Sequence, residues 1–278
     1  MKNIKNFILF VFVVGVAYYL GRDSSKSIEP GLVETASELT LSEEIKPQTP
    51  EIQYPLPKVP PEIVHQQFEP LSESDPQPLP FLDKSDDIVA AELASLYDSA
   101  QLDKIFIFKS IIRYFVVSID NMLEKELPNK YRFTRAPTEK FLVDKADDES
   151  VWIAAANYDR YLPYVKLVEA VDLNKLLALY LRYYPLIQEA YQDLGYLDRH
   201  FNDRFVKVID HLLETPEALE PVKLLRSRVL YAFADRKLED LSAGQKILIR
   251  TGNDNASRIK VRLLELRREL TNQTFSIN

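Results

Sequence analysis

At 278 residues, 46% hydrophobic and 28% charged, the chain has the composition of a globular protein of one or two domains. It contains no cysteine, which excludes disulfides, thiolate metal sites and a cysteine nucleophile. The net charge of −7 is concentrated in residues 22–80, where 11 acidic side chains face 4 basic ones. The rest is near balance, which leaves no basic face for nucleic acid.

The first element is an apolar run from Ile4 to Gly21, preceded by Lys2 and Lys5. As a helix its 18 residues span about 27 Å, just enough for a bilayer core. Tyr18 and Tyr19 fall where an interfacial aromatic belt sits, and Arg22 follows. Residues 1–21 therefore read as a membrane anchor that engages the lipid bilayer through residues 4–21. The competing reading is a cleaved signal segment, but its small-residue site at Gly15-Val16-Ala17 lies inside the apolar run. The small excess of flanking positive charge before the run predicts N-terminus in and C-terminus out, that is, a single-pass inner-membrane protein with a periplasmic domain.

Residues 22–80 hold 11 of the 17 prolines. Proline fixes φ and removes a hydrogen-bond donor, so an acidic, disordered tether with polyproline-II bias is expected. It reads first as a spacer. The sharper reading makes Tyr54-Pro55-Leu56-Pro57 a ligand for a partner that takes extended proline-rich segments. His65 has no partner histidine nearby in sequence and reads as solvated.

Residues 81–278 carry helical periodicity nearly throughout and predict a compact, mainly α domain with at most a small β-hairpin. Ser85 or Asp86 is placed to cap a first helix running to about Ser99. Residues 102–123 are apolar on almost all sides and predict one buried helix, with Lys109, Arg113 and Asp120 on a single polar stripe. Arg113 and Asp120 lie nearly two turns apart, so each is expected to pair with neighbours rather than with the other. Phe141-Leu142-Val143 and Val151-Trp152-Ile153 predict a hairpin. Pro163 suits the first turn of the next helix. Residues 172–194 form the longest pattern, within which Pro185 is expected to kink or split the helix, and Gly195 to end it.

Asp198 is placed to cap a helix with Phe201, Phe205, Val208, Ile209 and Leu212 inward. The stretch PVKLLRSRVLYAF fits either strand or helix. Ser242 and Gln245 form a capping box for a helix ending at Gly252. Asn253 then caps a last helix with Ala256, Ile259, Leu263, Leu266 and Leu270 inward.

Little in the chain points to chemistry. Six glycines leave no phosphate-cradling loop, and neither HExxH nor GxSxG occurs. No catalytic residue, metal site or cofactor is expected. His200 and His211 are eleven residues apart, about 16 Å of helix, too far for one metal to bridge. With Asp203, Lys207 and Asp210 they read as a solvated, salt-bridged face. Eight of the 15 tyrosines lie between Tyr158 and Tyr196, which suits core packing or an aromatic groove anchored by Arg160.

The segments NYDRYLPYV, YPLIQEAYQDLGY, FNDRFVKVIDHLLETP and FADRKLEDLSAGQKILIRTGNDNA, in that order, resemble the bacterial domain-of-unknown-function family 3014. IIRYFVVSIDNM is similar to that family's early helix. The resemblance covers residues 79–270. It implies an envelope protein with one N-terminal membrane segment, and it carries no assigned activity or catalytic residue. Arg236 departs from the family, which tends to have proline after FAD.

Two functions are thus in view. One is a tethered module that binds an envelope protein or cell-wall partner. The other is a hydrolase acting on an envelope polymer through paired carboxylates. The polar residues in or beside the strongest patterns, and hence the candidate binding residues, are Arg113, Asp120, Asn121, Tyr158, Arg160, Tyr161, Asn202, Asp203 and His211.

Overall fold

The computed structural model describes residues 52–57, 78–96, 105–132, 134–135, 137, 140–146, 148–170, 172–227 and 230–271. The expected anchor, His65 and most of the tether lie outside the described residues. Among the described residues, no helix is long and apolar enough to cross a membrane.

The domain is mainly α, with one small antiparallel sheet. In chain order its elements are α1 (Asp86–Leu96), α2 (Ile111–Asp120), β1 (Val143–Lys145), β2 (Val151–Ile153), α3 (Ala156–Asp159), α4 (Leu162–Glu169) and α5 (Leu173–Gln192). Then follow α6 (Phe201–Leu213), β3 (Lys223–Ser227), β4 (Leu230–Phe233), α7 (Arg236–Glu239), α8 (Ala243–Thr251) and α9 (Asn253–Thr271). The main core gathers the inner faces of α2, α4, α5, α6, α8 and α9. A smaller core of Ile153, Ala218, Val222, Leu224, Phe233 and Ile249 lies under the sheet. Every inward position expected on α6 and α9 is buried.

The sheet is larger than a single hairpin. β1 pairs with β2 as the apolar triplets predict, and PVKLLRSRVLYAF resolves as a second hairpin, β3–β4. The two hairpins join through Val151↔Leu224 and Trp152↔Lys223. That join reaches across four helices, α3 to α6, so local periodicity carries no sign of it.

The buried helix expected over residues 102–123 is shorter. Phe106 is extended and bridges Thr134, Ser110 sits at φ 48°, and the helix begins at Ile111. Its first N–H groups are met from outside. Asp86 of α1 accepts from Ser110 N at 2.6 Å and from Ile111 N at 2.9 Å. A carboxylate at a helix N-terminus also opposes the helix dipole favourably.

α5 is not split at Pro185; it runs unbroken from Leu173 to Gln192, capped by the Asp172 carboxylate. Pro185 itself is exposed. The lost hydrogen bond and ring clash cost about 3 kcal/mol. Burial of Tyr183, Leu186, Ile187 and Ala190 on the opposite face, at about 1.5–3 kcal/mol for each large side chain, outweighs that.

Two expected caps are also replaced. α6 is capped not by Asp198 but by Gln188 of α5, whose Oε1 accepts from Phe201 N at 2.9 Å. Asn253 opens α9 but spends its side chain elsewhere. It donates to Ala218 O at 2.7 Å and accepts from Ala218 N at 3.2 Å, pinning the segment that leads into β3. The Ser242 cap of α8 does form, with Oγ accepting from Gln245 N at 3.2 Å.

Candidate functional site

The first turn of α6 reads Phe201-Asn202-Asp203-Arg204-Phe205. Phe201 and Phe205 turn inward onto Phe115, Tyr180 and Tyr191, with ring centroids 5.5–6.0 Å apart. This aromatic cluster sets the rotation of α6. With Phe201 and Phe205 inward, Asn202 and Asp203 come to the rim, where residues 53–57 of the proline-rich segment lie.

The contacts made there form a clamp on main chain. The Asp203 carboxylate accepts from Tyr54 N at 2.7 Å through Oδ1 and from Gln53 N at 3.2 Å through Oδ2. Asn202 Nδ2 donates to Tyr54 O at 2.8 Å. Both main-chain groups of Tyr54 are thereby held. Beyond them Tyr54 and Leu56 pack on the main core, Pro57 is buried, and Pro55 faces out.

α5 prepares the clamp. Tyr180 Oη donates to Asn202 Oδ1 at 3.0 Å. Burial pushes that phenol well above its ordinary value, so it stays a donor. A donor on Oδ1 orients the amide and turns Nδ2 outward to Tyr54. One turn on, Tyr184 Oη donates to Gln188 Oε1 at 3.1 Å and accepts from Asn202 N at 3.4 Å. Gln188 Nε2 holds Arg199 O at 2.8 Å. Tyr180, Tyr184 and Gln188 recur every fourth residue and thus share one face of α5.

The remaining α6 polar residues meet the expected solvated, salt-bridged face in part: Lys207 is exposed, while Asp210 and His211 are half-buried and paired. Asp210 is ion-paired with the buried Arg267 of α9. That guanidinium is held above its ordinary value chiefly by its hydrogen bond to Asp210, after which burial pulls the other way, and Tyr54 adds to the rise. His211 Nε2 lies 2.8 Å from Ser242 Oγ. Burial pulls the imidazole below its ordinary 6.5, partly offset by Glu214. This histidine–serine contact is a helix cap: the hydroxyl is buried and already accepts from Gln245 N.

The other candidate residues sit apart from the clamp. Arg113 bridges Asp83 at 3.0 Å and Asp193 at 2.5 Å, fastening α2 to the end of α5. Asp120 meets Arg204 Nε at 2.8 Å and accepts from Tyr196 Oη at 3.2 Å. As expected, neither pairs with the other. Asn121 ends α2 and returns its Nδ2 to Val117 O at 2.8 Å.

Tyr158, Arg160 and Tyr161 belong to a second polar knot at the sheet end. There the buried Asn157 Oδ1 accepts from Arg160 Nη1 at 2.6 Å and from Leu142 N at 3.3 Å. Desolvation raises both Tyr158 and Tyr161 to about 12. Tyr161 is only 1% exposed, and Tyr164, Tyr180, Tyr183 and Tyr191 are likewise buried, so this run of tyrosines is mostly core.

Of the candidate residues, then, the structure brings Asn202 and Asp203 together at the clamp, and Tyr158, Arg160 and Tyr161 together at the sheet end. Of the clamp's partners, Tyr180 and Tyr184 belonged to the apolar pattern of residues 172–194, and Gln188 carried no signal in the sequence. Among the described residues, no group of three or more His, Asp or Glu is placed to hold a metal.

These features define a mainly helical domain that holds the bent main chain of residues 53 and 54. The chain belongs to the family described as protein of unknown function (DUF3014), whose model matches residues 111–267, from the start of α2 to near the end of α9. No curated protein and no solved structure matches the chain.

Proposed function

We propose that the protein is a membrane-tethered, extracytoplasmic interaction module whose helical domain recognises proline-containing polypeptide. One observation carries this reading. Asn202 and Asp203 spend their polar groups on the main chain of residues 53 and 54, on a scaffold of α5 side chains already hydrogen-bonded into position. Main-chain contacts supply affinity that tolerates sequence, and pockets for alternate side chains supply selectivity. The apolar run at residues 4–21 and the proline-rich stretch after it support the tethered, single-pass arrangement.

The hydrolase reading would need a free pair of carboxylates, and the acids beside the clamp are engaged. Asp120 and Asp210 are ion-paired to arginines, and Asp203 is occupied by two N–H groups.

The direct test is a titration of a fluorescent peptide of residues 49–60 into the full chain carrying Tyr54→Ser and Leu56→Ser, which empties the clamp. Saturable binding that Asp203→Ala abolishes is the expected result. Absence of binding to the emptied chain would sink the reading. Protease added to spheroplasts tests the topology separately. The domain is expected to be degraded, and its protection would reverse the orientation.

A further inference from the structure

We infer that residues 53–57 are a resident, exchangeable ligand, and that the clamp takes in their place a segment of a second protein with the same donor pattern. The inference rests on the peptide-recognition reading above and adds a rule for the partner and a competition with it.

The rule comes from which atoms are used. Asp203 requires N–H donors on two consecutive residues, here Gln53 and Tyr54. Proline has no N–H and is excluded at both positions. The next residues are Pro55, Leu56 and Pro57, and no N–H is used at the two prolines. Tyr54 and Leu56 supply the packed side chains, while Pro55 faces out. A partner segment therefore carries two non-proline residues, the second aromatic, followed by proline, an aliphatic residue and proline. Proline at those two positions also pre-extends the chain and lowers the entropy lost on docking. Because Asp203 is an anion, basic neighbours at the donor end favour binding and acidic ones oppose it.

The competition comes from connectivity. Residue 57 joins the described domain again at residue 78, a separation of 20 intervening residues. A ligand on so short a connection acts at an effective concentration on the order of millimolar. Against a ligand of about 0.1 mM intrinsic affinity, such a competitor weakens an incoming copy about tenfold. The polar grip on the resident segment is three hydrogen bonds, which suits exchange rather than permanent attachment.

The experiment compares the full wild-type chain with the full chain carrying Tyr54→Ser and Leu56→Ser. Each is titrated with the fluorescent peptide of residues 49–60 and with the same peptide N-methylated at its tyrosine nitrogen. Tyr54→Pro, which removes the 2.7 Å donor and the packed ring and leaves Leu56 in place, serves as a second emptied chain should the double substitution impair folding. The expected results are binding about tenfold tighter to the emptied chains than to wild type, and a loss of at least about tenfold on N-methylation. Equal affinity for wild-type and emptied chains would overturn the resident-competitor inference while leaving peptide recognition standing. Equal affinity for the N-methylated peptide would overturn the donor rule. No binding to either emptied chain would overturn both the inference and the reading beneath it.

Discussion

The two ends of the domain use the same residue vocabulary to opposite effect. At the sheet end, Asn157 lies within Asn157-Tyr158-Asp159-Arg160-Tyr161; at the clamp, Asn202 opens Asn202-Asp203-Arg204-Phe205. Both asparagines are essentially buried. Asn157 spends its carbonyl inside, on Arg160 and on the main chain leading into β1. Asn202 has its carbonyl satisfied by Tyr180 and turns its amide toward an arriving segment. A buried polar group is costly unless paired, and both carbonyl oxygens are satisfied. The neighbour that does so decides whether the residue holds the fold or holds a ligand.

Substitutions at the two ends should therefore separate stability from binding. The largest effect is expected for Gly252→Ala, at the sheet end. Gly252 adopts φ 89°, and an added Cβ would come within 2.8 Å of the Tyr158 ring. A loss of about 2–4 kcal/mol is expected in denaturant unfolding, because strain in the left-handed region adds to the clash. Next, Asn157→Ala strands Leu142 N and removes a partner of Arg160, for about 2–3 kcal/mol. Neither change should alter peptide affinity in the fraction that remains folded.

At the clamp the pattern should invert. Asp203→Ala, in the emptied chain, should weaken the peptide by at least about tenfold, or about 1.4 kcal/mol, while shifting unfolding by less than about 1 kcal/mol. A large stability loss with unchanged binding would erase the distinction between the two ends.

The smallest effect concerns pH. His211 is lowered by burial, so the unfolded chain binds its proton more readily than the folded one. Its contribution to stability is complete above about pH 6.5 and declines as the pH falls toward the lower folded value. His211→Gln should flatten that part of the thermal midpoint curve. An identical acid slope in both chains would remove the histidine from the account.

Several features were readable from local pattern. The inward faces of α6 and α9 follow from spacing at three and four, since burial on one helix side imposes that period. Ser242 caps α8 because its partner N–H is only three residues away. Tyr54-Pro55-Leu56-Pro57 read first as spacer and only alternatively as a ligand for an outside partner, whereas the structure seats it on the chain's own domain. Arg113 and Asp120 pair with neighbours as their separation requires, though which neighbours was not legible.

What the sequence determined by itself was the mainly helical domain, its family and the composition break at residue 80, because periodicity, motif order and proline content are all local or additive along the chain. Only the tertiary structure decided where α2 begins, what caps α6, how two hairpins become one sheet and what Asn202 and Asp203 hold. In each case the deciding hydrogen-bond partner lies far along the chain: Asp86 for Ile111, Lys223 for Trp152, Tyr180 for Asn202 and Asp203 for Tyr54. A donor or acceptor shows in the sequence that it needs a partner, and folding alone brings the partner to it.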